Sequence, residues 1–142
     1  MFKLSKKSDY GLMAINYIAS YEADGIASTK RIAEEYNIPV ELLAKILQRL
    51  AKNGLIIGQN GPKGGYILSR GLSKISIGEV VQALEGPIGI VSCYHDESNP
   101  CMQISKCTVR SPMKKIQENI IRYLNDITLD EMNHLVPIMK KE

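Results

Sequence analysis

Residues Pro39 to Leu68 read PVELLAKILQRLAKNGLIIGQNGPKGGYIL. Leu43, Ile46, Leu47 and Leu50 recur at three- and four-residue intervals, the period of a helix that buries one stripe. Glu41, Lys45, Gln48 and Lys52 fall on the opposite side, which is wholly polar. Pro39 suits the first helical turn, where its missing N–H costs nothing, and Asn53-Gly54 supplies a left-handed stop. Two short β-prone runs follow, Leu55 to Gly58 and Tyr66 to Leu68, joined by a turn of Asn, Gly and Pro. They predict a hairpin with Lys63 at its tip.

Upstream, Tyr10, Met13, Ala14, Tyr17, Ile18 and Tyr21 mark an amphipathic helix over Ser8 to Tyr21. Ser28 is placed to cap a short helix through Tyr36 that turns Ile32 and Ala33 inward, and Asn37-Ile38 breaks it. Helix, helix, turn, helix, hairpin is the order of a winged helix-turn-helix. Downstream, Ser76 and Glu79 have capping-box spacing ahead of Val80, Val81 and Leu84, with a stop at Gly86-Pro87. Met113, Ile116, Ile120, Tyr123 and Ile127 then predict a long amphipathic helix, and Thr128 to Glu131 start a short terminal one. The expected fold is mainly α with a small β-hairpin wing. Its expected divisions are a DNA-binding region over 1–72, a connecting helix within 73–92, a cysteine segment over 93–107 and the C-terminal helices over 108–142.

The length of 142 residues is one domain's worth, and such a chain buries roughly 70% of its unfolded surface. No apolar run approaches the roughly 20 residues of a membrane span, and the start, MFKLSKKSDYG, lacks the order of a signal peptide. A cytoplasmic protein with reduced thiols is the expectation, since three cysteines cannot pair off. Residues 1 to 70 hold ten Lys or Arg against six Asp or Glu, whereas residues 71 to 142 hold eight against nine. The basic excess therefore lies with the predicted winged helix, as a phosphate-facing surface requires.

In a helix-turn-helix the second helix enters the major groove, which makes Glu41, Lys45, Gln48 and Arg49 the candidates to meet base edges. Gln can pair with adenine, Lys or Arg with guanine, and Glu can accept from cytosine. Lys63 on the glycine-rich tip is a candidate for a phosphate or the minor groove. Ser28, Thr29 and Lys30, at a helix N-terminus, offer a third phosphate contact. The competing reading is a surface helix of a protein-interaction module with an ordinary hairpin turn.

All three cysteines lie within SCYHDESNPCMQISKC, residues 92 to 107, as Cys93, Cys101 and Cys107. The spacing C-x7-C-x5-C fits neither zinc ribbons nor the cysteine runs of bacterial ferredoxins, yet three thiolates in one loop can converge on a metal. His95 is a further possible ligand inside the loop. The polar, aperiodic surroundings disfavour buried structural cysteines, and nothing else suggests a catalytic Cys-His pair, so no enzyme is expected. A thiol–disulfide sensor without iron, and a zinc-stabilised interaction module, both remain open.

The combination of KLSKKSDYGLMAINYIA, GPKGGYILSRGLSKISIGEVVQALEGPI, the three cysteines and YLNDITLDEM resembles the iron–sulfur-dependent winged-helix repressors of the IscR, NsrR and RirA type. Leu84 to Ile88 and Cys107 to Arg110 look most like regulators of the SUF iron–sulfur assembly system. The resemblance implies a homodimer bridged by the long C-terminal helix, a palindromic DNA operator, and a two-iron or four-iron cluster ligated by Cys93, Cys101 and Cys107. IscR-type members carry a His three residues after the third cysteine, where this chain has Arg110. NsrR-type members use an Asp of the first helix of the partner subunit, and Asp9 matches that position. His95 is the alternative fourth ligand.

Overall fold

The computed structural model describes residues 3–21, 26–61, 64–90, 102–103 and 105–135. Its elements run α1 (Lys6–Tyr21), α2 (Thr29–Tyr36), α3 (Val40–Lys52), β1 (Ile56–Gln59), β2 (Gly65–Leu68), a 3-10 turn (Leu72–Lys74), α4 (Ile77–Glu85), α5 (Arg110–Asp126) and α6 (Leu129–His134). This is the predicted winged helix-turn-helix with a long C-terminal helix.

Local chemistry sets the helix ends. The Ser28 hydroxyl accepts from the Arg31 N–H at 3.2 Å, and Asn37, at φ 52°, ends α2 in the left-handed region that short polar side chains tolerate. Ile38 then donates back to the Ala33 carbonyl at 3.0 Å. Pro39 lies one residue outside α3 rather than in its first turn: the ring fixes φ at −55°, but ψ of 128° keeps the chain extended there. Its carbonyl accepts from the Leu43 N–H, so the ring still begins the helix without wasting a donor. Gly54, at φ 78°, takes the chain out of α3 toward the hairpin.

The core lies under α3. Leu43, Ile46, Leu47 and Leu50 are all buried, together with Ile15 and Ile18 of α1, Ile32 of α2, and Val80, Val81 and Leu84 of α4. Each such side chain contributes about 1.5–3 kcal/mol on burial. α4 packs against α1, α3 and α5, so the helix expected as a connector occupies the centre of the molecule. Gly11 permits this on α1, because a Cβ there would collide with the Leu84 side chain.

The wing is a two-stranded antiparallel hairpin in which Ile56 pairs with Leu68 and Gln59 with Gly65. Ala27 adds a short bridge to β2, accepting from the Tyr66 N–H at 2.9 Å. At the other end, α5 and α6 are fastened to the head by main-chain bonds. Ile77 donates to Ile127 at 3.0 Å and Leu129 to Ile75 at 2.9 Å. Asn16 of α1 and Asn133 of α6 exchange amide hydrogen bonds at 3.1 Å in both directions.

Candidate nucleic-acid interface and sensor segment

Glu41, Lys45, Gln48 and Lys52 project from α3 as an exposed row. Four buried apolar residues hold the opposite stripe against the core, so the row cannot rotate inward without exposing them. Arg49 is also exposed, but its Nη1 donates to the Leu84 carbonyl at 3.1 Å, which draws the guanidinium to the flank of α3 that faces α4. At the start of α2, Lys30 is exposed and Thr29 half-buried, whereas the Ser28 hydroxyl is spent on the helix cap.

Lys63 and Pro62 lie outside the described residues. The flanking glycines have reasons of their own within the protein. A Cβ on Gly65 would collide with the Ala27 carbonyl, and one on Gly64 would press on the carbonyls of Gln59 and Gly61. The bridge from Ala27 thus demands a glycine at 65, and the hairpin's own carbonyls crowd position 64, where the sequence alone suggested close approach to DNA.

Of the candidate metal ligands, Cys93, His95 and Cys101 lie outside the described residues. Cys107 is described, exposed and three residues ahead of α5. Among the described residues no three His, Cys, Asp or Glu side chains gather at one point. Asp9 sits in the first turn of α1, half-buried, with a carboxylate oxygen 3.9 Å from the Lys6 ammonium. Acidic residues are common in the first turn of a helix, so this position does not by itself mark a ligand.

A family model described as "Rrf2: Iron-dependent Transcriptional regulator" matches residues 4–134. The chain belongs to the Rrf2 family. It is 30% identical over 130 residues to the HTH-type transcriptional regulator IscR of Pectobacterium atrosepticum, covering 92% of this chain and 78% of that protein. The IscR of Yersinia pestis is 31% identical over the same shares. Among solved structures, CymR of B. subtilis, described as its global cysteine regulator, superimposes with a TM-score of 0.74 at 28% identity, covering 96% of this chain and all of CymR. IscR of T. potens gives 0.71 at 28% identity over 94% and 87% of the two chains. The protein is therefore a winged-helix transcriptional regulator and not an enzyme. Among the described residues no helix is long and apolar enough to cross a membrane.

Two polar contacts in this Rrf2 regulator connect its parts, and neither is evident in the sequence. Glu85, at the end of α4, accepts from the Ser5 N–H at 2.9 Å and from the buried Ser8 hydroxyl at 2.8 Å, capping α1 from outside the helix. Burial works against the Glu85 charge, but the bonds from Ser5 and Ser8 and the nearby Lys7 ammonium outweigh it and hold the carboxyl below its ordinary pKa. Gln117 is the one buried residue of α5, at 8% exposure, and its Oε1 accepts from the Ile90 N–H at 2.8 Å. That bond pins the chain three residues before Cys93. A polar residue interrupting the row Met113, Ile116, Ile120 is the signal that could have singled Gln117 out.

Proposed function

We propose that this Rrf2 regulator is a cytoplasmic homodimeric repressor of iron–sulfur assembly genes, with a cluster held by Cys93, Cys101 and Cys107. The observation that carries this is the match of an iron-dependent family model across residues 4–134 of a chain whose only three cysteines lie together ahead of α5. The donor set fits such a group, because cysteine thiolates are the customary ligands of iron–sulfur clusters, the sequence supplies three of the usual four, and Cys107 is solvent-exposed beside the start of α5. Asp9 of the partner subunit would complete the set, with His95 as the alternative. A bound cluster would supply a redox-active centre held by these thiolates.

Glu41, Lys45 and Gln48 would meet the major groove, with Arg49 at its flank and Ser28, Thr29, Lys30 and Lys63 on the backbone. A palindromic operator sets its half-sites about 34 Å apart, so the spacing of two α3 helices in a dimer decides affinity. Exposed apolar side chains on α5 support dimerisation through that helix: Ile116 is 46% exposed and Tyr123 63%, and seven positions separate them, which puts both on one side.

The similarity to CymR favours a second reading, in which the same cysteines act by disulfide exchange without iron. Purification without oxygen, followed by iron, acid-labile sulfide and thiol assays, separates the two. Stoichiometric iron and sulfide lost on Cys101→Ser supports the cluster; a metal-free protein that gains and loses a disulfide reversibly sinks it. Asp9→Ala is expected to destabilise the cluster and His95→Ala to leave it intact; the reverse result moves the fourth ligand into the cysteine segment.

A further inference from the structure

Beside the outer row of α3 runs a groove of about 280 Å³, lined by Lys7, Leu42, Lys45, Ile46, Arg49 and Leu84. Three cations from two helices converge on it. Lys7 comes from the first turn of α1, and Lys45 and Arg49 from α3. Lys7 and Lys45 are exposed, and neither makes an ion pair among the described residues. One nearby carboxylate, that of Glu85, feels the Lys7 charge, but both its oxygens are taken by Ser5 and Ser8, and Glu41, four residues before Lys45 on α3, forms no ion pair with that lysine among the described residues. Arg49 spends one donor on Leu84 and keeps others of its planar fork. The groove has room for a phosphate and several waters, at roughly 30 Å³ per water.

We infer that this groove seats a backbone phosphate of the DNA that α3 enters, with Lys7 as a contact additional to the helix-turn-helix and the wing. The inference rests on the DNA-binding reading above. An α-helix with its side chains is about 10–12 Å across and the major groove about 12 Å wide, so the flanks of an inserted helix abut the phosphates. Lys45 belongs both to the outer row of α3 and to this flank. The flank therefore faces a phosphate strand whenever the row faces bases, and Lys7 extends the cationic surface one helix further along that strand.

Lys7→Ala tests this by fluorescence anisotropy on two short duplexes, an operator selected from a random pool by the unaltered protein and a scrambled sequence. A phosphate contact carries no sequence information, so both duplexes should lose affinity alike. The salt slope should become shallower by about 0.9, so the advantage of the unaltered protein over the variant shrinks roughly 3.5-fold when salt rises fourfold. Lys7→Arg should retain binding and slope. An unchanged slope, a loss confined to the operator, or a Lys7→Arg variant as weak as Lys7→Ala overturns the phosphate seat while leaving the DNA-binding reading intact. Failure of the unaltered protein to bind either duplex overturns both.

Discussion

Gly78 shows how much of this fold depends on single contacts. A Cβ at that position would collide with Oδ1 of Asn125, and the Asn125 main-chain nitrogen stands only 3.0 Å away, so rotating the side chain cannot make room. The same Oδ1 accepts from Gln82 at 3.2 Å, which seats α5 on α4 at this point. Gly78→Ala is expected to cost about 1–3 kcal/mol in urea unfolding, the usual range for overpacking, despite the better helix propensity of alanine. Glu85 makes a different kind of contact, one with a pH signature. Because its folded pKa lies below the ordinary value, its contribution to stability is present in full above the unfolded pKa and is lost as pH falls through the folded one. Glu85→Gln should therefore lower stability near neutral pH, by no more than about 1 kcal/mol at this exposed site, and the difference from the unaltered protein should vanish in the acid range. A deficit that persists unchanged at the lowest pH would show that the carboxylate charge is not what ties α1 to α4.

At the scale of elements, the parts that could be read from the sequence are those with a period or a cap. The stripe of α3 is legible because four apolar residues repeat at helical spacing, and all four are buried. Ser76 and Glu79 are legible because a capping box has a fixed spacing, and both of its bonds form, Glu79 N–H to Ser76 at 3.1 Å and Ser76 N–H to Glu79 at 3.0 Å. Glu79 also pairs with Arg70 at 2.7 Å, so the cap reaches back to the end of the wing. Ser76→Ala is expected to cost about 1 kcal/mol and to lower the melting temperature by a few degrees; a variant as stable as its parent would mean that the main-chain bonds of Ile75 to Leu129 and of Ile77 to Ile127 alone fix the start of α4. Contacts between elements carry no such periodicity. Neither Gln117 with Ile90 nor Glu85 with Ser5 and Ser8 follows from spacing, since the partners lie 27 to 80 positions apart. The groove at Lys7 escaped for the same reason: its cations come from helices far apart in sequence. For the candidate metal ligands, the donor types were legible in the sequence, while Cys93, His95 and Cys101 fall outside the described residues.

For the molecule as a whole, α5 is the unbalanced part. It runs 17 residues, roughly 25 Å, yet buries only Gln117, while the head beneath it has a continuous apolar core. Its far end is anchored through Asn125, Ile127 and Leu129, so the exposed face is carried on a fixed frame. A face of this kind on a rigid helix is what a second copy of the chain needs for an isologous contact. Ile116 and Tyr123 lie seven positions apart, on one side of α5. Ile116→Glu combined with Tyr123→Glu should therefore convert a dimer to a monomer in analytical ultracentrifugation. The melting of the head should change little, because neither side chain belongs to its core. Operator affinity should fall by about 10²–10⁴, since one half-site then binds without the effective concentration supplied by the other. Affinity for a single half-site should be nearly unchanged, which separates lost avidity from a damaged winged helix. A double variant that remains dimeric would place the interface elsewhere and remove α5 as the element through which the cysteine segment could set the spacing of the two α3 helices.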